Sequence, residues 1–253
     1  MEIAAPQRLD QAVAEARTDA KDRLAVALDF PSAVSALAFV YRLEGRCRWF
    51  KVGMELFYAA GSGLIHDLRE KGFEVFLDLK LHDIPNTVAG AVQSVTSTGA
   101  SLLTLHASGG ERMMLAAVEA AQAPGSPRLL AVTVLTSMDG ADLNGTGVAS
   151  SPRDQAVRLA LLAQRCGVAG MVCSPEEVEI LRRKLDVGNL LVVPGIRPVG
   201  AAIGDQRRIA TPGSAIRDGA SMLVVGRPIT QAADPAQAAA AILAEIEAAG
   251  SIS

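Results

Sequence analysis

No apolar run in the 253 residues approaches the roughly 20 that a membrane-spanning helix needs; the longest are strand-sized. Positive charge is not in excess. There are 24 Lys and Arg against 27 Asp and Glu, a net charge of −3, so the basic footprint of a nucleic-acid binder is missing. The opening stretch MEIAAPQRLDQAVAEARTDA mixes both signs of charge and lacks the apolar core of a signal peptide. Cysteine is scarce: Cys47, Cys166 and Cys173 are odd in number and form no CxxC. That usage excludes a disulfide scaffold and points to a reduced, cytoplasmic compartment. Three scattered histidines offer little from which to build a zinc site, so no metal is expected. What the chain has in quantity is apolar residues, at 50%, with 20% charged. That balance buries a sizeable core and sets disorder aside.

One rhythm runs through the sequence. Strand-like runs stand at 24–30 (LAVALDF), 49–54 (WFKVGM), 74–81 (EVFLDLKL) and 102–108 (LLTLHAS). Four more follow at 129–136 (LLAVTVLT), 169–174 (AGMVCS), 189–197 (NLLVVPGIR) and 221–230 (SMLVVGRPIT). Helical patterns such as SAVSALAFVYRLEG and DQAVRLALLAQRCG separate them, and Gly45, Gly72, Gly99 and Gly167 sit where helices should stop. Strands alternating with helices imply parallel strands joined by right-handed crossovers. Eight such units in a chain of this length fit a single-domain (β/α)8 TIM barrel. An open doubly wound sheet is the alternative, weakened by the missing Gly-x-Gly-x-x-Gly after the first strand. The expected division is a helical extension over 1–20 and the barrel over 21–253. The long connection 138–154 reads as an active-site loop.

Charges interrupt the strands at one end. Side chains alternate along a strand, so in EVFLDLKL the residues Val75, Leu77, Leu79 and Leu81 suit the helix layer. Phe76, Asp78 and Lys80 then point into the barrel, both charges at the C-terminal end, where barrel active sites are built. Asp29 closes the first run and Lys51 sits in the second, so three strands aim four charges at one mouth. Any one of them alone reads as a salt bridge. Four together do not, because burying ions costs several kcal/mol each and apolar residues would serve structure better. Asp83 lies past the strand, just before Pro85, where it also reads as a helix-start residue. His82 falls on the opposite face and suits packing. His106 stands near the mouth without a task, and His66 falls in a helix.

The last two units carry a second signal. VVPGIRPVGAAIGDQRR holds Pro194, Gly195, Arg197, Gln206, Arg207 and Arg208, and VVGRPIT holds Gly226 and Arg227. Barrels commonly seat a phosphate on the loops after strands seven and eight. Glycine admits backbone N–H groups to the oxygens, and arginine adds a charged fork. The segment 198–209 reads as a lid that Gln206 would close on the phosphate.

ALD (27–29), FKVGMELF (50–57), FLDLKLHDIPNT (76–87), LTSM (135–138), VPGIRP (193–198) and LVVGRPIT (223–230) stand in an order and spacing that closely resembles the bacterial-type orotidine 5'-phosphate decarboxylase family. The resemblance extends over essentially the whole chain. It implies conversion of orotidine 5'-monophosphate to UMP and CO2, the last step of pyrimidine synthesis, without metal or cofactor. By the same resemblance Lys80 is the proton donor, Asp78 faces the substrate carboxylate, and Lys51 and Asp83 complete a Lys/Asp network. Asp83 and Thr87 would come from the other subunit of a homodimer with shared active sites. Asp29 would hold ribose hydroxyls, Thr136 and Ser137 would lie near the pyrimidine, and Pro194, Arg197, Gln206, Gly226 and Arg227 would serve the phosphate and its lid. Two other functions remain open. One is a Mg2+-dependent keto-sugar-phosphate decarboxylase or aldolase, since related barrels share Asp-x-Lys-x-x-Asp. The other is a non-catalytic sensor of phosphoribosyl ligands.

Overall fold

The computed structural model of the protein describes residues 19–198 and 210–250. Among them, eight parallel strands close into a barrel in chain order. They are β1 (Leu24–Ala27), β2 (Trp49–Gly53), β3 (Glu74–Leu81), β4 (Leu102–His106), β5 (Arg128–Val132), β6 (Gly170–Val172), β7 (Leu190–Val193) and β8 (Met222–Val225). The β1–β8 pairing, Leu24 against Leu223 through Val26 against Val225, closes the ring. The open doubly wound sheet is thereby excluded.

Alternation along each strand separates two apolar layers. Ala25, Ala27, Phe76, Leu102, Leu130 and Val192 pack inside the barrel. Val75 and Leu77 belong to the larger layer between strands and helices, with Leu79 and Leu81 packed against it, as the sequence pattern requires. The helix-stop glycines hold the left-handed backbone that such ends need: φ is +70° at Gly45, +83° at Gly72, +76° at Gly99 and +81° at Gly167.

Several strands are shorter than their apolar runs. β5 stops at Val132, β7 at Val193 and β8 at Val225. Past Val225 the chain turns into a short helix, Arg227–Thr230, because Pro228 has no N–H to give a ladder and suits a first helical turn. Met54 likewise opens the helix Met54–Ala60 instead of ending β2. The 138–154 connection holds a helix of its own, Gly140–Gly145, started by a reciprocal Asp139/Asp142 capping box. Residues 1–18 of the expected N-terminal extension lie outside the described residues, as do 199–209, including Gln206, Arg207 and Arg208.

Candidate active site

The C-terminal ends of β1, β2 and β3 bring four charges into one line. Ala27 pairs with Lys51 across β1 and β2, and Gly53 pairs with Asp78 across β2 and β3. Lys51 Nζ lies 3.5 Å from Asp29 Oδ1 and 3.5 Å from Asp78 Oδ2. Lys80 Nζ lies 2.8 Å from the same Asp78 Oδ2. The order Asp29–Lys51–Asp78–Lys80 thus alternates in sign. Side-chain exposure is 62% at Asp29, 12% at Lys51 and Asp78, and 26% at Lys80, so the inner pair is the desolvated part. Glycine at 53 is a matter of room: a Cβ there would stand 3.1 Å from Lys51 Nζ.

β3 departs from regular pairing where its charges sit. The register against β4 shifts between Leu77 and Leu81. Lys80 has φ +51°, a left-handed backbone that a residue with a Cβ rarely adopts. The backbone N–H of Lys80 donates to Thr104 Oγ1 at 2.9 Å, and the Thr104 hydroxyl donates to Asp78 Oδ1 at 2.9 Å. Both oxygens of Asp78 therefore have protein donors. Burial alone would push the Asp78 carboxyl up. The positive charges of Lys51 and Lys80, with hydrogen bonds from Lys80 and Thr104, outweigh it and hold the group below the usual carboxylate range. Sequence reading passed over Thr104; its signal is a lone hydroxyl at an inward position of the apolar strand LLTLH.

Beside Lys80 opens a cavity of about 160 Å³. Lys51, Asp78 and Lys80 supply its charged lining; Phe76, Val132, Val172, Cys173 and Val224 are among its apolar residues, with Thr136 and Pro194 also present. An apolar cavity near 150 Å³ accepts a benzene ring, so this one has room for one six-membered ring. Its two surfaces differ in character, charge against hydrocarbon, which suits a planar polar ring carrying an ionised substituent.

The other expected residues are distributed as follows. Ser137 is exposed and outside the cavity lining. Asp83 is exposed, accepts the Ile84 N–H at 2.6 Å and, among the described residues, makes no ion pair. Thr87 is exposed in the first turn of the helix Pro85–Thr96. Neither lines the cavity of its own chain. Arg197 is 8% exposed and donates from Nη1 to the Ile196 carbonyl at 2.8 Å. Its backbone N–H bonds Ala210 O at 2.9 Å, tying together the two sides of 199–209. Gly226 touches the opposite end of the charge line, where a Cβ would meet Asp29 Oδ2 at 3.4 Å, and the exposed Arg227 follows it.

His82 is exposed and its ring stands 5.3 Å from that of His106. Burial, then the charges of His82 and Lys80, lower the His106 pKa, with Asp78 opposing. His106 is therefore held towards its neutral form. His66 is exposed on the helix Gly63–Glu70. Among the described residues no three His, Cys, Asp or Glu side chains are grouped in a way that could hold a metal ion.

Known proteins resemble this chain in sequence and in fold. A family model described as "Orotidine 5'-phosphate decarboxylase / HUMPS family" matches residues 22–242. The orotidine 5'-phosphate decarboxylase of Halorhodospira halophila is 56% identical over 229 residues, covering 90% of this chain and 97% of that relative. The one of Sodalis glossinidius is 54% identical over 228 residues, covering 89% of this chain and 90% of that relative. The crystal structure of orotidine 5'-phosphate decarboxylase from Lactobacillus acidophilus matches with a TM-score of 0.79 at 39% identity, covering 89% of this chain and 99% of that one.

Proposed function

The chain belongs to the orotidine 5'-phosphate decarboxylase / HUMPS family, and from that membership we propose that the charge line at the barrel mouth decarboxylates orotidine 5'-monophosphate to UMP and CO2, completing pyrimidine nucleotide synthesis. The observation that carries the reading is the alternation Asp29–Lys51–Asp78–Lys80 along one side of a ring-sized, largely apolar cavity.

The chemistry needs that alternation. Breaking the bond from C6 to the carboxylate leaves an electron pair in an sp2 orbital that the ring delocalises poorly. Stabilisation has to come from a fixed cation, and fixed charges in a dry site act strongly. Lys80, on a strand and paired to Asp78 at 2.8 Å, supplies that cation. It then gives its proton to C6, ending as a neutral amine beside the new C6–H bond. Asp78, kept ionised, sits where the substrate carboxylate would press against it; that repulsion disappears as neutral CO2 departs. Lys51 and Lys80 together balance Asp29 and Asp78, so the line of four carries no net charge.

The remaining assignments follow by the same reading. Asp29 takes ribose hydroxyls. Thr136 and Pro194 border the ring, with Ser137 close in sequence. Gly226 and Arg227 take the phosphate, joined by Arg197 and by Gln206. Binding energy gathered there, remote from C6, is expressed in the transition state. No cofactor or metal enters this scheme. A homodimer with shared sites is supported by the exposure of Asp83 and Thr87 and by Ile84 between them, 66% exposed in the single chain. A cytoplasmic place is supported by three free, buried cysteines. Among the described residues no helix is long and apolar enough to cross a membrane.

The test is loss of orotidine 5'-monophosphate absorbance with purified, EDTA-treated protein. Full activity is expected. An inert protein refutes the reading, and activity that appears only with Mg2+ favours the keto-sugar-phosphate alternative. No observation favours that alternative or a non-catalytic sensor: the named relatives are decarboxylases, and the charged set is intact.

A further inference from the structure

We propose that Thr104 is a positioning residue for the decarboxylation: a single hydroxyl fixes both the carboxylate of Asp78 and the backbone that carries Lys80. The inference rests on the reaction proposed above and concerns how its cation is aimed.

Thr104 is 0% exposed, in a strand whose neighbours Leu102, Leu103 and Leu105 are buried hydrocarbon. Valine has nearly the same shape and would pack there without a polar atom to satisfy. A buried hydroxyl is tolerated only where its hydrogen bonds are made. A hydroxyl has one proton and two lone pairs. An ionised carboxylate only accepts, so the proton goes to Asp78 Oδ1, at 2.9 Å. A lone pair then takes the N–H of Lys80, also at 2.9 Å. Both capacities are used, and both on the residues at the centre of the charge line.

The second bond answers a need created by β3. In a regular parallel ladder the N–H of an inner strand goes to a neighbouring carbonyl. The shift of register between Leu77 and Leu81 interrupts that pattern, and Lys80 stands at φ +51°. An unregistered N–H inside a barrel wall must find another acceptor. Thr104 Oγ1 is that acceptor, so the hydroxyl supports the conformation that turns Lys80 towards the cavity. The first bond completes the aim. Lys80 and Lys51 both approach Asp78 Oδ2, and Thr104 claims Oδ1, which fixes the rotation of the carboxylate and with it the direction of the Lys80 ammonium. Thr104 does not reach the reacting atoms; it acts through the two groups that do.

The experiment compares Thr104→Val and Thr104→Ser with the wild type by steady-state decarboxylation. A misplacement of the reacting groups by about 1 Å is enough for roughly a hundredfold in rate. Thr104→Val is expected to lower kcat by roughly tenfold to a hundredfold, while KM for orotidine 5'-monophosphate and the Kd for UMP stay near wild type. Thr104→Ser, which keeps the hydroxyl, is expected to restore most of kcat. A general loss of packing would not produce that split or that rescue. Wild-type kcat in Thr104→Val overturns the proposal, as does a serine variant no better than the valine one. If the valine chain does not fold, Thr104→Ala takes its place, and equal kcat in the alanine and serine variants is the overturning result. Wild-type protein inert towards the substrate brings down this inference together with the function it rests on. An active wild type with an equally active valine variant rejects this inference alone.

Discussion

Replacing Lys80 by alanine separates catalysis from folding. In the proposed reaction Lys80 contributes the cation nearest the developing carbanion and the proton that ends the reaction. Removing one preorganised charge-stabilising group costs about 10²–10³ in rate. Removing a general acid costs about 10²–10⁴. Both losses fall on one side chain, so kcat should drop by about 10⁴ or more. The fold should survive. Asp78 keeps Lys51 at 3.5 Å and the Thr104 hydroxyl at 2.9 Å, so it is not stranded as an unpaired buried charge. Stripping a fully buried ion of its partner costs about 3–5 kcal/mol. The Lys80 side chain is 26% exposed and the carboxylate keeps a second cation, so about 1–2 kcal/mol is the fitting range. For a chain of this size that lowers Tm by roughly 2–8 °C. The assay is loss of substrate absorbance at saturating concentration, with the melting curve recorded on the same preparation. Turnover within about tenfold of wild type in a folded Lys80→Ala protein would refute the assignment of both roles to this residue.

Arg227→Ala should weaken UMP binding by about 1.5–3 kcal/mol, the contribution of a charged hydrogen bond, and leave uridine binding unchanged in calorimetry; equal losses for both ligands count against a phosphate role. Burial raises the Asp78 pKa, but Lys51 and Lys80 more than reverse this, so its folded pKa is depressed. Its contribution to stability is then complete above about pH 5 and is lost as pH falls through about 4 and below. The gap in urea midpoint between wild type and Asp78→Asn should therefore narrow on acidification, and a widening gap contradicts the sign. Mixing inactive Lys80→Ala and Asp83→Ala proteins under conditions that exchange subunits should restore activity, because one site of the heterodimer combines an intact Lys80 with the partner's intact Asp83. No recovery, with exchange verified by native mass spectrometry, rejects shared sites.

The barrel was legible because its parallel strands and amphipathic helices use different periods. Phe76 faces inwards and Val75 and Leu77 outwards, as the two-residue period demands. Gly45, Gly72, Gly99 and Gly167 stand where positive φ ends a helix. Strand ends were less legible, since VVGRPIT is apolar on both sides of the turn and only Pro228 marks the change. The charges of the site could be read from Asp29, Lys51, Asp78 and Lys80 because ions are rare in strand cores. The left-handed backbone of Lys80 could not. Nothing in EVFLDLKL forecasts φ +51°, and the N–H of Lys80 is received by a residue 24 positions later, Thr104. A local sequence window contains no information on that contact.

The shared site proposed above would place a further acid at the far end of the charge line. Each inner member of the line Asp29–Lys51–Asp78–Lys80 has an opposite charge on both sides, and Lys80 has Asp78 on one. In the proposed complex, a substrate carboxylate seated against Asp78 would make the charge around Lys80 more negative. A further carboxylate on the open side of Lys80 would fix its direction as Lys51 is fixed, between two acids. Within the chain the nearest acid in sequence besides Asp78 is Asp83, and it accepts the Ile84 N–H, exposed and without an ion pair among the described residues. On the homodimer proposed above, Asp83 and the adjacent Ile84, 66% exposed in the single chain, would lie under another copy of the chain. The same contact would bury Ile84 and deliver Asp83 to the other mouth, so assembly and catalysis would be coupled through two adjacent residues. Substituting Ile84 should then disturb activity through dimerisation, and its effect should diminish as protein concentration rises.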